Sequence, residues 1–571
     1  MPVAPSRLIA SSVLFIPILV ILIFVFLVAA HWPVLRLPYF WDEAGYYIPA
    51  AYDIFTSGSI IPHSTMTDAH PPLVMAYLAA AWKLFGYQPL VTRVAMLLIA
   101  GLALGGVFEL AQFVANRAVA IASTLCTALY PVFFAQSSLA HVDLAVTAIT
   151  IWAVFFYLRG RRWLCVGAFM LAAMAKETAI ITPLALFAWQ ALRKSQDNQK
   201  TSLLQRALDS SWLLVPALPL AAWFAYHYVR TGYMFGNPQF FHYNVGATLQ
   251  PLRIVFALVR RIWQLLGHMN LYVLTLAMAL AMLLPPQSDS GVERERISWP
   301  HQFVFAVIMA VHLLVFSLVG GAALARYMLP AIPLVIIIAV STLRRRIPGW
   351  PVVIAVVCAG FVAGLLINPP YVFAPEDNLA YRDYVLLHEQ AADMMEQRFP
   401  QARILTAWPA TDEFSKPYLN YVKTPYRVLQ LQNFTLQELE ATSQNAEYDM
   451  AIIFSSKYEP AHRVPAPEFW RRAQVRFFDD HSDTPPEVAA QILGGRLLWK
   501  AKRGGQWIAL IEIPKILNAV YSLSTQETEN ETPSASPHRG NDGNRLCPAA
   551  GPIPSQQTCA QDYVYPGRPP F

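Results

Sequence analysis

Ionisable side chains in this sequence stand where apolar segments end: Asp42-Glu43, Asp143, Lys176-Glu177 and Arg326, with His70 ahead of a double proline. A charge is costly in hydrocarbon, so one that adjoins a membrane-length segment faces a cavity, a partner or the interface. The pair Asp42-Glu43 lies between Tyr39-Phe40-Trp41 and Tyr46-Tyr47. A carboxylate among aromatic rings can have its proton affinity adjusted for general-base work, and nearby cations can steady the anion that such a reaction releases. The bland alternatives are a solvated loop pair for Asp42-Glu43, helix-end charges or a structural ion pair for Asp143 and Lys176-Glu177, an interfacial anchor for Arg326 and a turn for His70-Pro71-Pro72. No second His or Cys stands at zinc-like spacing beside His70, although His63 lies upstream, so the sequence supports no metal site.

The elements that must position these groups are membrane helices. The chain has 571 residues, 56% of them hydrophobic and 14% charged, and a mean hydropathy of +0.38. That composition excludes a set of soluble domains. Residues 8–30 form an uncharged stretch, long enough at ~1.5 Å per residue to cross a ~30 Å core, and read as an uncleaved anchor. Further apolar segments at 90–112, 116–134, 141–158, 163–176, 178–192, 211–229, 262–284, 301–319, 327–343 and 350–367 bring the expected count to about eleven. A cytoplasmic N-terminus puts Arg159-Gly160-Arg161-Arg162, Arg193-Lys194 with Lys200, and Arg344-Arg345-Arg346 inside, as the positive-inside rule requires. The net charge of +6 follows from those loops and implies no nucleic-acid partner. Every carboxylate and cation singled out above then falls at the outer face. Asp and Glu are not subject to the positive-inside bias, so their gathering there points to an outer-face site.

The expected organisation is a membrane module at 1–370, whose first outer loop spans about 31–88 and includes an amphipathic run at 73–85 suited to the membrane surface. A small extracytoplasmic α/β domain follows at 371–515, with a helix at 384–398, strands at 403–407, 427–431 and 449–454, and a hairpin at 497–502 and 506–513. A disordered tail is expected at 516–571, rich beyond Ser522 in Ser, Thr, Pro, Gly, Asn and Gln. Of the five cysteines, Cys126, Cys165 and Cys358 read as small core residues, and Cys547 and Cys559 could pair if the tail is extracytoplasmic.

Phe40-Trp41-Asp42-Glu43-Ala44-Gly45-Tyr46-Tyr47 after the first helix resembles the Asp-Glu motif of glycosyltransferase-C enzymes, in the bacterial protein O-mannosyltransferase and aminoarabinose-transferase branch. The likeness continues through His70-Pro71-Pro72-Leu73, Asp143, Ala175-Lys176-Glu177-Thr178, Gly236-Asn237-Pro238 and Arg326-Tyr327-Met328-Leu329-Pro330, over about residues 1–370. The resemblance implies inverting transfer of a sugar from a polyprenyl (undecaprenyl) phosphate donor to a cell-envelope lipid, glycan or protein acceptor at the outer face of a bacterial inner membrane. It makes Asp42 the base and needs no cofactor and no metal. His70, Lys176 and Arg326 become the donor-phosphate candidates, Glu43 and Asp143 orient the acceptor or hold those cations, and Glu177 and Tyr46 support them. His70 stands where aminoarabinose transferases have Lys, and Leu144 follows Asp143 where Pro is usual; both departures argue against a lipid A acceptor. A polytopic transporter or flippase of lipid-linked substrates, a ligase moving a whole glycan and a non-catalytic receptor are the competing classes.

Overall fold

The computed structural model describes residues 5–193, 202–443, 447–460, 462, 467–478 and 480–514. Lys194, Lys200, the expected tail and its Cys547 and Cys559 lie outside the described residues.

The apolar segments are helices, and the chain is a polytopic membrane protein. Among the described residues, Pro89–Val114, Pro251–Ala281 and Trp299–Leu318 are each long and apolar enough to cross a membrane. Two more candidates are broken: Arg117–Leu129 meets Pro131–Ser138 at 67°, and Leu203–Leu214 meets Ala217–Thr231 at 57°. A proline at each break, Pro131 and Pro216, accounts for them, because its ring cannot follow a helical residue without disturbing the preceding turn. Val142–Leu158, Arg162–Ala175, Glu177–Leu192 and Trp350–Leu366 are shorter apolar helices, so the segments expected as about eleven spans are present as helices of uneven length. The segment expected from 262 starts earlier, at Pro251. The helix Pro251–Leu266 runs through Arg260 and Arg261, with Arg261 turned into the protein.

The first loop, 31–88, holds two helices, Ile48–Ser57 and Leu73–Phe85. It starts with a tight passage in which Glu43–Tyr47 forms one π-helical turn, a form that occurs mostly as single turns and frequently at functional sites. Trp41, just before it, has φ +46°, a left-handed conformation that a bulky residue adopts only when its surroundings impose it.

The C-terminal part of the described chain is a five-stranded mixed sheet. Arg403–Ala407 pairs in parallel with Arg427–Leu431 on one side and with Met450–Phe454 on the other, and the antiparallel hairpin Gln506–Glu512 and Arg496–Arg503 completes it beyond Met450–Phe454. Met450–Phe454 is buried at every position, as a central strand covered on both faces must be. Helix Ala380–Arg398 lays Tyr381, Tyr384, Val385, His388, Ala391, Ala392 and Met395 on the core, the spacing of one helical face. Short helices at Ala410–Ser415, Leu436–Ser443, Glu468–Phe478 and Pro486–Ile492 were not legible as periodic segments.

This α/β part is fastened to the first loop. Tyr87 Oη donates to the Tyr418 carbonyl at 2.6 Å, Tyr421 Oη to the Tyr39 carbonyl at 3.0 Å and Lys416 Nζ to the Ser64 carbonyl at 2.9 Å, while Tyr52 and Tyr418 stack at 4.2 Å. Gly45 marks the closest approach: a Cβ there would lie 2.4 Å from the Trp408 indole. Gly45→Ala is therefore expected to displace Trp408 and to cost about 1–3 kcal/mol of stability, read as a lowered unfolding temperature of the detergent-solubilised protein with unchanged helical content.

Candidate active site

Two consecutive carboxylates leave the π-helical passage in opposite directions. Glu43 is fully buried, and its oxygens accept from the Ala140 backbone N–H at 2.5 Å, from the Phe40 N–H at 2.8 Å and from the Arg93 guanidinium. Arg93, itself buried, also donates to the carbonyls of Ser138 at 2.9 Å and Pro38 at 2.8 Å. This pair ties the first loop to the helix Pro89–Val114 and to the turn before Val142–Leu158. Asp42 points the other way, is 19% exposed, and meets the guanidinium of Arg326.

Arg326 is the hub of the site. It lies in the one-turn helix Ala325–Met328 ahead of Ile332–Arg346, with only 1% of its side chain exposed. Besides Asp42 it meets Glu376 Oε2 at 2.5 Å and Asp143 Oδ2 at 3.1 Å, and His141 lies 3.1 Å from its Nη1. Asp143 sits in the first turn of Val142–Leu158 and accepts from Lys176 Nζ at 2.7 Å. Lys176 in turn lies 4.4 Å from the centroid of the Tyr327 ring, whose face Arg261 and Arg326 also approach, at 5.4 and 5.8 Å. Three cations against one ring is a cation–π cluster. Arg261 donates to Gln264 and to the Phe316 and Leu324 carbonyls, but its buried Nη2 has no hydrogen-bond partner and no carboxylate is paired with it among the described residues.

His70 and Glu177 form a separate ion pair, Nδ1 to Oε2 at 2.7 Å, with Asp68 Oδ2 at 3.8 Å from Nε2. Burial alone would lower the His70 pKa, but Asp68 and Glu177 outweigh it and push it up to about 9, so the ring is a cation at neutral pH. The buried Tyr47 ring bridges His70 and His141, with centroids 6.0 and 5.9 Å away. Tyr46 faces the other way, 5.5 Å from Trp408.

The structure thus brings Asp42, Asp143, Lys176 and Arg326 into one network and sets His70 with Glu177 beside it. It places Glu43 in a buried scaffold pair and Tyr46 on the face of the α/β part. Among the described residues no group of three His, Cys, Asp or Glu side chains is arranged to hold a metal ion. Four members were not singled out from the sequence. Tyr327 stood within a recognised segment, at Arg326-Tyr327, whereas Arg261 lay just ahead of the segment 262–284, in a helix that starts at Pro251. Glu376 and Trp408 lie in soluble-like sequence and carry no signal of their own.

Glu376 completes the cluster. Three carboxylates, Asp42, Asp143 and Glu376, stand around Arg326 and Lys176. Burial, with Asp42, Asp377 and Asp143 adding to it against the pull of Arg326, pushes the Glu376 pKa up to about 8. Gln136 and His141 pack against it, Gln136 Nε2 donating to the Glu376 carbonyl at 3.2 Å and Gln136 Oε1 accepting from His141 Nδ1 at 2.8 Å.

Residues 69–223, which include His70, Asp143, Lys176 and Glu177, match the family model described as dolichyl-phosphate-mannose-protein mannosyltransferase. No curated protein matches the chain. The fold is similar to that of ArnT from Cupriavidus metallidurans bound to undecaprenyl phosphate, with a TM-score of 0.50 at 14% identity over 88% of this chain and 98% of that one. The apo state of the same protein gives a TM-score of 0.49 at 15% identity over 86% and 97%, and an oligosaccharyltransferase of Archaeoglobus fulgidus, in complex with zinc and sulfate, gives 0.41 at 11% over 76% and 67%.

Two outcomes follow from the geometry. Glu43→Ala leaves the buried Arg93 without its carboxylate and is expected to cost about 3–5 kcal/mol of stability, measured by thermal unfolding. Glu376 has a folded-state pKa near 8 against an ordinary 4.5, so the folded protein holds more protons than the unfolded chain between those values and stability falls as pH rises through that window. Glu376→Gln removes that part of the decline, so its unfolding temperature is expected to vary less than the wild type's from about pH 5 to 8.

The chain is a membrane protein with a fold similar to that of ArnT from Cupriavidus metallidurans, and its residues 69–223 match a mannosyltransferase family model.

Proposed function

We propose that the protein moves a hexosyl or pentosyl group from a polyprenyl phosphate-linked donor to a hydroxyl of a cell-envelope lipid, glycan or protein at the outer face of the membrane. Asp42 is the base. The observation that carries this reading is that Asp42 is the exposed carboxylate of an otherwise buried charge network, 19% open against 4–5% for Glu376 and Asp143. A base has to reach its substrate, and only this group of the cluster does so.

The acceptor oxygen attacks the anomeric carbon, the bond from that carbon to the phosphate oxygen breaks, and the hydroxyl proton passes to Asp42. Attack opposite the leaving group inverts the anomeric centre. Arg326 grips Oδ2 of Asp42, which fixes the carboxylate and directs Oδ1 to the hydroxyl. The leaving group is an anion, and its charge is stabilised by preorganised cations. The guanidinium of Arg326 is taken up by three carboxylates, so the phosphate side falls to Lys176 and His70, joined by Arg261, whose unpartnered Nη2 adjoins the same Tyr327 ring as Lys176. The cations supply the charge stabilisation without a metal.

A transporter or flippase of lipid-linked substrates is the second reading, and the two bent helix pairs favour it. Against it, Asp143 sits in a first turn and Lys176 at a C-cap, both at helix ends.

Membranes containing the wild type or Asp42→Asn at matched levels, supplied with radiolabelled undecaprenyl phosphate sugars, decide between them. The wild type is expected to transfer label from one donor and the variant to lose about 10²–10⁴-fold of that rate. Equal transfer by both would remove Asp42 from the role of base. No transfer by either, in membranes that hold the native acceptor, would favour transport.

A further inference from the structure

The aromatic side of Asp42 is built from both parts of the chain. Trp408, at the end of strand Arg403–Ala407, lies over Gly45 with no room for a Cβ between them, and its ring stands 5.6 Å from Trp41 and 5.5 Å from Tyr46. All three residues are half-buried. Trp41 reaches this place through its left-handed backbone, and Tyr384 packs behind it at 5.6 Å.

Oxygen acceptors surround the rings. The Tyr46 phenol is pushed up by burial and then by Asp42, Asp68 and Asp412, which face it from three different segments. Each of those carboxylates lies against a cation: Arg326 beside Asp42, His70 beside Asp68 at 3.8 Å, and Lys416 beside Asp412 at 2.9 Å. Carboxylates so held keep lone pairs that accept hydroxyl protons. Ring faces flanked by such acceptors suit a ligand with an apolar C–H face and a rim of hydroxyl groups.

We infer that Trp408, Trp41 and Tyr46, with Asp68 and Asp412, form a subsite for a neutral pyranose ring next to Asp42. This rests on the glycosyl-transfer reading for its meaning, since the ring belongs either to a glycan acceptor or to the sugar of the donor. In both cases the α/β part supplies two residues of the site, Trp408 and Asp412.

Saturation-transfer NMR on the full-length protein in detergent micelles tests this without requiring transfer, using a panel of methyl hexopyranosides and pentopyranosides as probes and linear sorbitol as control. One or more pyranosides are expected to receive saturation at ring C–H protons while sorbitol does not. Trp408→Ala and Asp412→Asn are each expected to weaken that binding about tenfold, whereas Trp163→Ala, at a residue 89% exposed elsewhere, leaves it unchanged. The Asp412 variant keeps the test valid if removal of Trp408 disturbs the fold. Displacement of the glycoside by a polyprenyl phosphate sugar, but not by the polyprenyl phosphate alone, identifies the ring as the donor's; retention identifies it as the acceptor's. Absence of pyranoside binding in the wild type, or equal binding in both variants, overturns the subsite. Because binding is read directly, loss of the subsite and loss of the transfer reading show up in different experiments.

Discussion

A buried guanidinium is costly to leave without counter-charge, and Arg326, almost wholly enclosed, has three carboxylates around it. Removing such a charge from water costs several kcal/mol per ion, recovered only when partners are close and well placed. That constraint accounts for the way distant segments converge. Asp42 comes from the first loop, Asp143 from a helix start, and Glu376 from beyond the last apolar helix, and all three meet the one side chain. Burial and the neighbouring carboxylates raise the affinity of Glu376 for a proton against the pull of Arg326. The network is therefore both a structural tie and a device that leaves its exposed member, Asp42, fixed and available.

The neighbours Asp42 and Glu43 divide the labour that a sequence motif assigns to both. The π-helical turn sends Glu43 inward to Arg93 and two backbone N–H groups, where every oxygen is satisfied. A carboxylate so held anchors the backbone from which Asp42 projects. The position of one residue of the pair thus depends on burial of the next, which preorganises the exposed carboxylate.

The α/β part bears on the same passage from outside. Its hydrogen bonds to the carbonyls of Tyr39 and Ser64, together with the stacked Tyr52 and Tyr418, hold the loop on both sides of Asp42. Glu376 and Asp377 do the same from the linker: Glu376 meets Arg326, and Asp377 meets His268 at 2.9 Å beside the left-handed pair Met269 and Asn270. Membrane helices and α/β part consequently share one continuous core, and the site lies where they join.

What the sequence determined by itself was local. Hydropathy placed the helices and the soluble-like region; strands 403–407 and 427–431 and helix 73–85 keep the bounds read from their patterns, because periodicity depends on neighbours along the chain. Charges at the ends of apolar segments marked Asp42, Asp143, Lys176 and Arg326 as members of a site. The tertiary structure decided the pairings: Asp42 with Arg326, 284 residues away, and Glu43 with Arg93, 50 residues away. It also supplied Glu376 and Trp408, whose surroundings in sequence are ordinary. Hydrophobic patterning is a property of a segment, but a charge is neutralised by whatever reaches it through space, and only the folded chain fixes which group that is.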